Sequence, residues 1–251
     1  MLVIHVTAGL IALIAGAVAL FAPKGSALHR RGGFVFAIAM LVMTASALVM
    51  AGFLRPNRGN VVAGSLTFYL VATGMLAVMR PVERVRGLLV GLALAAAGIA
   101  VYAMSLGLEA SAQPRGVLDG IPAPALYMFA TVAFLGAMMD AKLLHAGRIE
   151  GSARLTRHLW RMGYAMWIAT LSFFLGQADE FPDALRNRVV LATPVLLVTA
   201  TMLYWVARAF WMRRRPLRDF LGRRAIDALA RDRVKASART LNGAAPVPTA
   251  D

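Results

Sequence analysis

The chain contains no cysteine, which excludes disulfide bonds, thiolate metal ligands and redox-active thiols. Charged residues are also scarce, because they make up 16% of the 251 residues, whereas soluble globular domains carry about 25%. Hydrophobic residues account for 59% of the chain. This balance excludes an ordinary soluble domain and favours a protein that is embedded in a membrane.

Seven long apolar runs with little internal charge account for this composition. Runs of this length are typical of transmembrane helices, and none of them alternates as the strands of a membrane barrel do. We therefore predict an all-α, polytopic membrane protein with seven transmembrane helices. The predicted spans are Leu2–Ala22, Gly33–Leu54, Val61–Met79, Gly87–Gly107, Pro122–Ala141, Leu159–Gln177 and Val189–Arg208.

The distribution of Lys and Arg predicts how the helices are oriented, because these residues accumulate on the cytoplasmic side of a membrane. The first, third and fifth connections and the C-terminal tail together hold 22 of the 27 Lys and Arg residues. We predict an N-terminus outside, a cytoplasmic C-terminus and a multi-pass location in the bacterial inner membrane. Topology thereby explains the net charge of +15, and we predict no nucleic-acid partner.

The C-terminal part divides the chain into three predicted regions. Residues 1–212 form the seven-helix transmembrane domain, and residues 213–235 form a basic amphipathic helix on the inner leaflet. Such a helix is attracted by anionic lipids. Residues 236–251, which are rich in Ala, Pro and Thr, are predicted to be disordered. The alternative for the basic segment is positive charge without a defined helix.

Small residues at helical spacing predict which faces are buried, since they let helix backbones approach closely. One such face runs along the first span and comprises Ala8, Gly9, Ala12, Ala15, Gly16 and Ala19. His5 begins the same stripe, so we expect it to be buried between helices rather than directed at lipid. The fourth span repeats the pattern at Gly87, Gly91 and Ala95.

The centres of the predicted spans contain no Asp, Glu, Lys or Arg. Proton pumps and ion-coupled carriers usually keep an ionisable group at mid-depth in the membrane. The sequence therefore argues against ion-coupled transport and leaves carriers of neutral solutes open.

A candidate site lies where polar side chains collect at the cytoplasmic ends of the spans: His29, His145, His158, Asp140 and Arg161. Two imidazoles on facing helices ligate a b-type haem in other proteins, and three with a carboxylate can hold zinc or iron. His and Arg can instead bind an anionic head group or a quinone carbonyl. The competing interpretation is that no cofactor binds, because metal-binding spacings such as HExxH are absent.

We further predict that His29 and His158 approach each other across the second and sixth helices, with Asp140 and Arg161 nearby. All four residues are expected at one membrane depth. An interhelical hydrogen bond in a membrane contributes roughly 0.6–2 kcal/mol, so polar groups at that depth gain from pairing.

Two short stretches carry a resemblance to a known family. The opening "HVTAG" and the later "HRRGGFVFAIAML" resemble a bacterial family of predicted membrane proteins, domain of unknown function 2306. The shared features are a first-helix His followed by Gly, a His-Arg-x-x-Gly entry to the second helix, and the helix count. The resemblance draws attention to His5, His29 and Gly33 and implies no substrate.

Three function classes remain open from the sequence. The first is a membrane protein that binds a cofactor or an anionic ligand at the cytoplasmic-side cluster. The second is a small-molecule carrier or permease, and the third is a non-catalytic membrane or interaction protein. Whether the chain is an enzyme is not determined by its residues.

Overall fold

The computed structural model describes residues 1–211, and within them the chain forms seven long helices. A π-helical turn, Met50–Leu54, continues the second helix, and a two-stranded hairpin follows the fourth. The helices are α1 Leu2–Phe21, α2 Ala27–Val49, α3 Arg58–Met79, α4 Arg86–Ser111, α5 Ala123–Ala146, α6 Gly151–Phe174 and α7 Arg188–Trp211, and the strands are β1 Val117–Leu118 and β2 Ile121–Pro122. The predicted regions 213–235 and 236–251 lie outside the described residues.

The dimensions of the helices fit a bilayer. A helix of about 20 residues is about 30 Å long, which matches the hydrocarbon thickness of a typical membrane. Within residues 1–211, six helices are long and apolar enough to cross it, and α6 is the exception. The chain is thus an all-α polytopic membrane protein, as its sequence predicts.

The sixth helix departs from the prediction in its start and its polarity. It begins at Gly151, eight residues before the predicted Leu159. The extra turns place Arg157 within the helix and move Arg161 from its predicted edge to near its middle. Both arginines are buried, so the expectation that the span interiors carry no charge is wrong for this helix.

The third helix is the centre of the bundle. It packs against α2, α4, α5 and α6, and its side chains Leu66, Leu70 and Val71 are fully buried. The neighbouring helices approach it closely at glycines, since a Cβ added at Gly136 of α5 would lie 2.8 Å from the Tyr69 hydroxyl. Side chains on the inward face of α3 therefore reach the buried faces of α5 and α6.

The predicted small-residue face of α1 is confirmed. Ala8, Ala12, Gly16 and Ala19 are its buried residues, and α1 packs mainly against α2. His5 is half-buried rather than buried, and its Nδ1 lies 3.0 Å from the carbonyl oxygen of Met43 in α2. The imidazole thus faces the neighbouring helix, as expected from its place in the stripe.

The corresponding prediction for α4 is wrong. Gly87, Gly91 and Ala95 are exposed, and the first two have no atom within 4 Å of an added Cβ. The buried face of α4 carries a second set of mostly small residues: Leu89, Ala96, Ala100, Ala103, Leu106, Gly107 and Ala110. Because α4 has small residues on two faces, their spacing alone does not show which face packs.

The hairpin between α4 and α5 is fixed to the start of α3 by polar contacts. Arg58 forms ion pairs with Glu109 at 2.9 Å and with Asp119 at 3.2 Å, and the Asn57 amide donates to the Asp119 carbonyl. These groups are on the surface, where ion pairs contribute little to stability. They fix the hairpin at the end of the helix bundle that is opposite to the candidate site.

Candidate functional site

The polar centre of the bundle lies between α3, α5 and α6. Asp140 belongs to the inward face of α5, together with Ala133 and Gly136. Arg157 and Arg161 belong to the inward face of α6, because residues four apart lie one above the other on a helix. Packing of these two faces against α3 brings the three charged side chains together.

Asp140 is fully buried and accepts contacts on both carboxylate oxygens. Its Oδ1 lies 2.6 Å from Nη2 of Arg161 and in ion-pair contact with Nη2 of Arg157. Its Oδ2 accepts a 2.6 Å hydrogen bond from the Tyr69 hydroxyl. We call Asp140, Arg157, Arg161, Tyr69 and Thr73 the buried charge cluster.

Arg161 is held on several sides. Its Nη1 donates to the Thr73 hydroxyl, and its Nη2 lies 3.3 Å from the Gly136 carbonyl oxygen. Its guanidinium carbon is 5.0 Å from the ring centres of Tyr69 and Trp160, a distance at which an aromatic face attracts a cation. Arg161 therefore joins α3, α5 and α6, and of its guanidinium nitrogens only Nε has no hydrogen-bond partner.

Arg157 is held much less completely. Its Nη2 touches Asp140 without hydrogen-bond geometry, and neither Nη2 nor Nε has a hydrogen-bond partner in the structure. The side chain is only 3% exposed, so water does not replace the missing partners freely. An unpartnered donor on a buried guanidinium costs about 1–3 kcal/mol or more, which makes Arg157 the group that gains most from a ligand.

The cluster lies inside the bundle rather than at its surface. Asp140 is six residues before the last residue of α5, and a rise of 1.5 Å per residue places it about 9 Å from that end. Arg161 is ten residues beyond the start of α6, and an added Cβ on Gly74 would lie 3.2 Å from its Cβ. Arg157 lies one turn nearer to the start of α6 than Arg161 does.

His158 and Arg154 of α6 contact backbone carbonyl groups in the last two turns of α3. The His158 Nδ1 is 2.9 Å from the Gly74 oxygen, and Arg154 donates to Ala77 and Val78. The final carbonyl groups of a helix have no partner within it, and cations are favourable at this negative end. Capping of α3 thus explains Arg154, and His158 joins α6 to the preceding turn of α3; neither contact requires a cofactor.

His29 and Lys24 contact the last carbonyl groups of α1. The His29 Nδ1 is 2.9 Å from the Ala19 oxygen, and Lys24 donates to Ala19 and Leu20. Burial lowers the pKa of Lys24 to about 8, and its ammonium group lies 5.0 Å from the Trp205 ring centre. His29 therefore has a structural role at the end of α1 that requires no cofactor.

The structure brings some of the predicted site residues together and separates others. Asp140 and Arg161 are in direct contact, and His158 precedes Arg161 by one turn. His29 and His158 each contact a backbone carbonyl group, His29 in α1 and His158 in α3. His145, in contrast, is exposed at the C-terminal end of α5 and does not belong to the buried charge cluster.

Three members of the cluster were not predicted: Arg157, Tyr69 and Thr73. Arg157 was assigned to a loop because the sixth span was predicted to begin at Leu159. Arg157, Arg161 and Ala165 follow one another at a spacing of four residues. This spacing is the sequence signal that the three residues share one face of a helix. Tyr69 and Thr73 gave no signal, because hydroxyl groups are common in membrane helices.

Metal binding is not favoured by this arrangement. Within residues 1–211, no group of three or more His, Cys, Asp or Glu side chains is close enough to hold a metal ion. The Nδ1 atoms of His29 and His158 are engaged by backbone carbonyl groups. The geometry thus favours the buried arginines over the histidines as the functional groups.

Residues 2–87 match a family described as Predicted membrane protein (DUF2306). This match confirms the sequence resemblance over α1, α2, α3 and the first two residues of α4. It includes Tyr69 and Thr73, whereas Asp140, Arg157 and Arg161 lie outside it. No curated protein and no solved structure matches the chain.

Proposed function

We propose that this membrane protein binds an anionic ligand at the buried charge cluster, with Arg157 as the main contact. The observation that carries the proposal is the pairing of two buried arginines with one carboxylate. Ionisable groups within a membrane bundle are rare and usually functional. An anion at this position supplies the partner that Arg157 lacks.

The charge balance supports an anion over the other ligands considered. Among the described residues, the carboxylate in contact with Arg157 and Arg161 belongs to Asp140, so the three groups carry one excess positive charge. An uncompensated charge in a low-dielectric interior is costly. Arginine also binds carboxylate and phosphate oxygens in a bidentate manner, and Arg157 still has Nε available.

We propose that the ligand enters from the cytoplasm of a bacterial cell, with the N-terminus outside. Residues 1–211 contain 17 Lys and Arg residues, of which twelve lie on the side of the α1–α2, α3–α4 and α5–α6 connections. This asymmetry is typical of the inner side. The cluster is nearer to that side, since Arg157 is in the second turn of α6.

The absence of cysteine permits a direct test of orientation by single-cysteine labelling. Arg115→Cys and Arg148→Cys place thiols at exposed positions in the α4–α5 and α5–α6 connections. We expect a membrane-impermeant maleimide to label the first in intact spheroplasts and the second only after the membrane is opened. The reverse labelling pattern would invert the proposed topology.

Anion binding is tested by thermal unfolding of the detergent-solubilised protein in sodium chloride, sodium formate and sodium phosphate. A ligand at 100 times its Kd stabilises the folded state by about 2.7 kcal/mol. We expect at least one of these anions to raise the Tm of the wild-type protein saturably. Arg157→Gln should lose this increase, because it removes the excess charge and the free guanidinium donors.

Arg31→Gln is the matched control, since it removes one positive charge from an exposed position on the same side. It should keep the wild-type response to anions. An equal response of Arg157→Gln and wild type, or no saturable response of the wild type to any of the three anions, would contradict the proposed function.

Transport of the anion is the second candidate function. The observation that favours it is the depth of the cluster, since Asp140 and Arg161 lie within the bundle and not at its mouth. Carriers keep such groups along their substrate path. Uptake of radiolabelled formate into proteoliposomes, compared between wild type and Arg157→Gln, distinguishes a carrier from a protein that binds without transport.

The remaining alternatives are tested by separate measurements. A haem would require the Nε2 atoms of His29 and His158 to face one slot, and a reduced-minus-oxidised absorption spectrum detects it.

Attraction of anionic inner-leaflet lipids by the basic segment 213–235 is also a proposal, and it rests on charge alone. Binding of vesicles by the isolated membrane domain and the full chain would separate this contact from the buried charge cluster.

A further inference from the structure

We infer that the buried charge cluster selects a small monovalent anion, which Arg157 binds while Arg161 remains the partner of Asp140. This inference rests on the proposed function and specifies its ligand. It follows from the number of charges, from the unequal contacts of the two arginines and from the close packing around them.

The number of charges sets the charge of the ligand. Arg157 and Arg161 carry two positive charges, and Asp140 compensates one of them. One further negative charge makes the cluster neutral, whereas a divalent anion leaves an excess negative charge in a low-dielectric site. Without an anion the cluster has one excess positive charge, which is also unfavourable. The empty cluster and the cluster with a divalent anion are therefore both less stable than the cluster with a monovalent anion.

The contacts assign different roles to the two arginines. Arg161 contacts both Asp140 oxygens, the Thr73 hydroxyl and the Gly136 carbonyl. Moving it toward a ligand would break all of these contacts. Arg157 would give up one ion-pair contact. Both its Nε and its Nη2 lack a hydrogen-bond partner, whereas in Arg161 only Nε does.

The packing limits the size of the group that enters. At Gly136 an added Cβ would lie 2.8 Å from the Tyr69 hydroxyl, and at Gly74 it would lie 3.0 Å from the Met162 sulfur. Neither position has room for an additional methyl group unless a neighbour moves. The nitrogen atoms of Arg157 without a hydrogen-bond partner, Nε and Nη2, remain as the contact for a ligand, and the close packing around them favours a ligand of few atoms.

The test compares sodium formate and sodium chloride with sodium sulfate, titrated into the detergent-solubilised full chain at matched ionic strength. Matching is needed because salt screens charges regardless of binding. Trp160 lies over the Arg161 guanidinium, so its fluorescence provides a local signal. Trp160→Phe identifies the part of the signal that comes from Trp160.

We expect formate or chloride to bind with a Kd at least tenfold lower than that of sulfate, and Arg157→Gln to lose the saturable signal. Arg31→Gln should keep both the signal and the preference. Tighter binding of sulfate would overturn the inferred selectivity while leaving anion binding intact. No saturable response of the wild type to any of the salts would overturn the inference and the proposed function together.

Discussion

Asp140→Ala is expected to lower the free energy of unfolding by about 3–5 kcal/mol, because it leaves two buried arginines without a carboxylate. Asp140 is fully buried, and its two oxygens accept contacts from Arg157, Arg161 and Tyr69. Removal also leaves the Tyr69 hydroxyl without its partner. The loss is measured by SDS titration of the protein in mixed micelles, followed by circular dichroism.

Two further variants separate the effect of charge from that of shape. Glu109→Ala removes the exposed partner of Arg58 and should change the free energy of unfolding far less than Asp140→Ala does, because surface ion pairs contribute little. The combined replacement Asp140→Leu, Arg157→Met and Arg161→Met should recover most of the lost stability, because apolar residues often replace buried ion pairs without cost. If the combined variant is less stable than Asp140→Ala, the destabilisation does not arise from uncompensated charge.

Hydropathy made the fold predictable, because each membrane helix must bury about 20 apolar residues in lipid. The first helix ends at Phe21, one residue from the predicted end, and α3 ends at Met79 as predicted. The same reasoning misplaced the start of α6. An apolar run marks the part of a helix that faces lipid, whereas α6 turns its arginines toward α3 and α5 and begins at Gly151.

The candidate site was predictable only in part, for a related reason. Asp140 and Arg161 were selected because charges near an apolar run are unusual, and they are in contact. The histidines were selected on residue type, but the structure shows His29 and His158 bound to the backbone of α1 and α3. A sequence shows which groups are present, but not which helix carbonyl groups they satisfy.

Close approach of α5 to α3 places the Tyr69 hydroxyl beside Asp140, and it depends on glycine at position 136. A Cβ there would lie 2.8 Å from the hydroxyl oxygen and 2.9 Å from the neighbouring ring carbon. Both distances are shorter than van der Waals contact, so the Tyr69 ring or α5 itself must move. Either movement lengthens the 2.6 Å hydrogen bond from Tyr69 to Asp140.

Gly136→Ala is therefore expected to lower the free energy of unfolding by about 1–3 kcal/mol, the usual cost of overpacking a core. Gly98→Ala is the matched control, because Gly98 is also helical but has no atom within 4 Å of an added Cβ. Alanine is a better helix former than glycine by about 1 kcal/mol, so the control should be neutral or slightly more stable. Both variants are compared with wild type in the same SDS titration. Equal stabilities of Gly136→Ala and Gly98→Ala would show that α5 can withdraw from Tyr69 without cost, and the hydrogen bond between Tyr69 and Asp140 would then not hold these helices together.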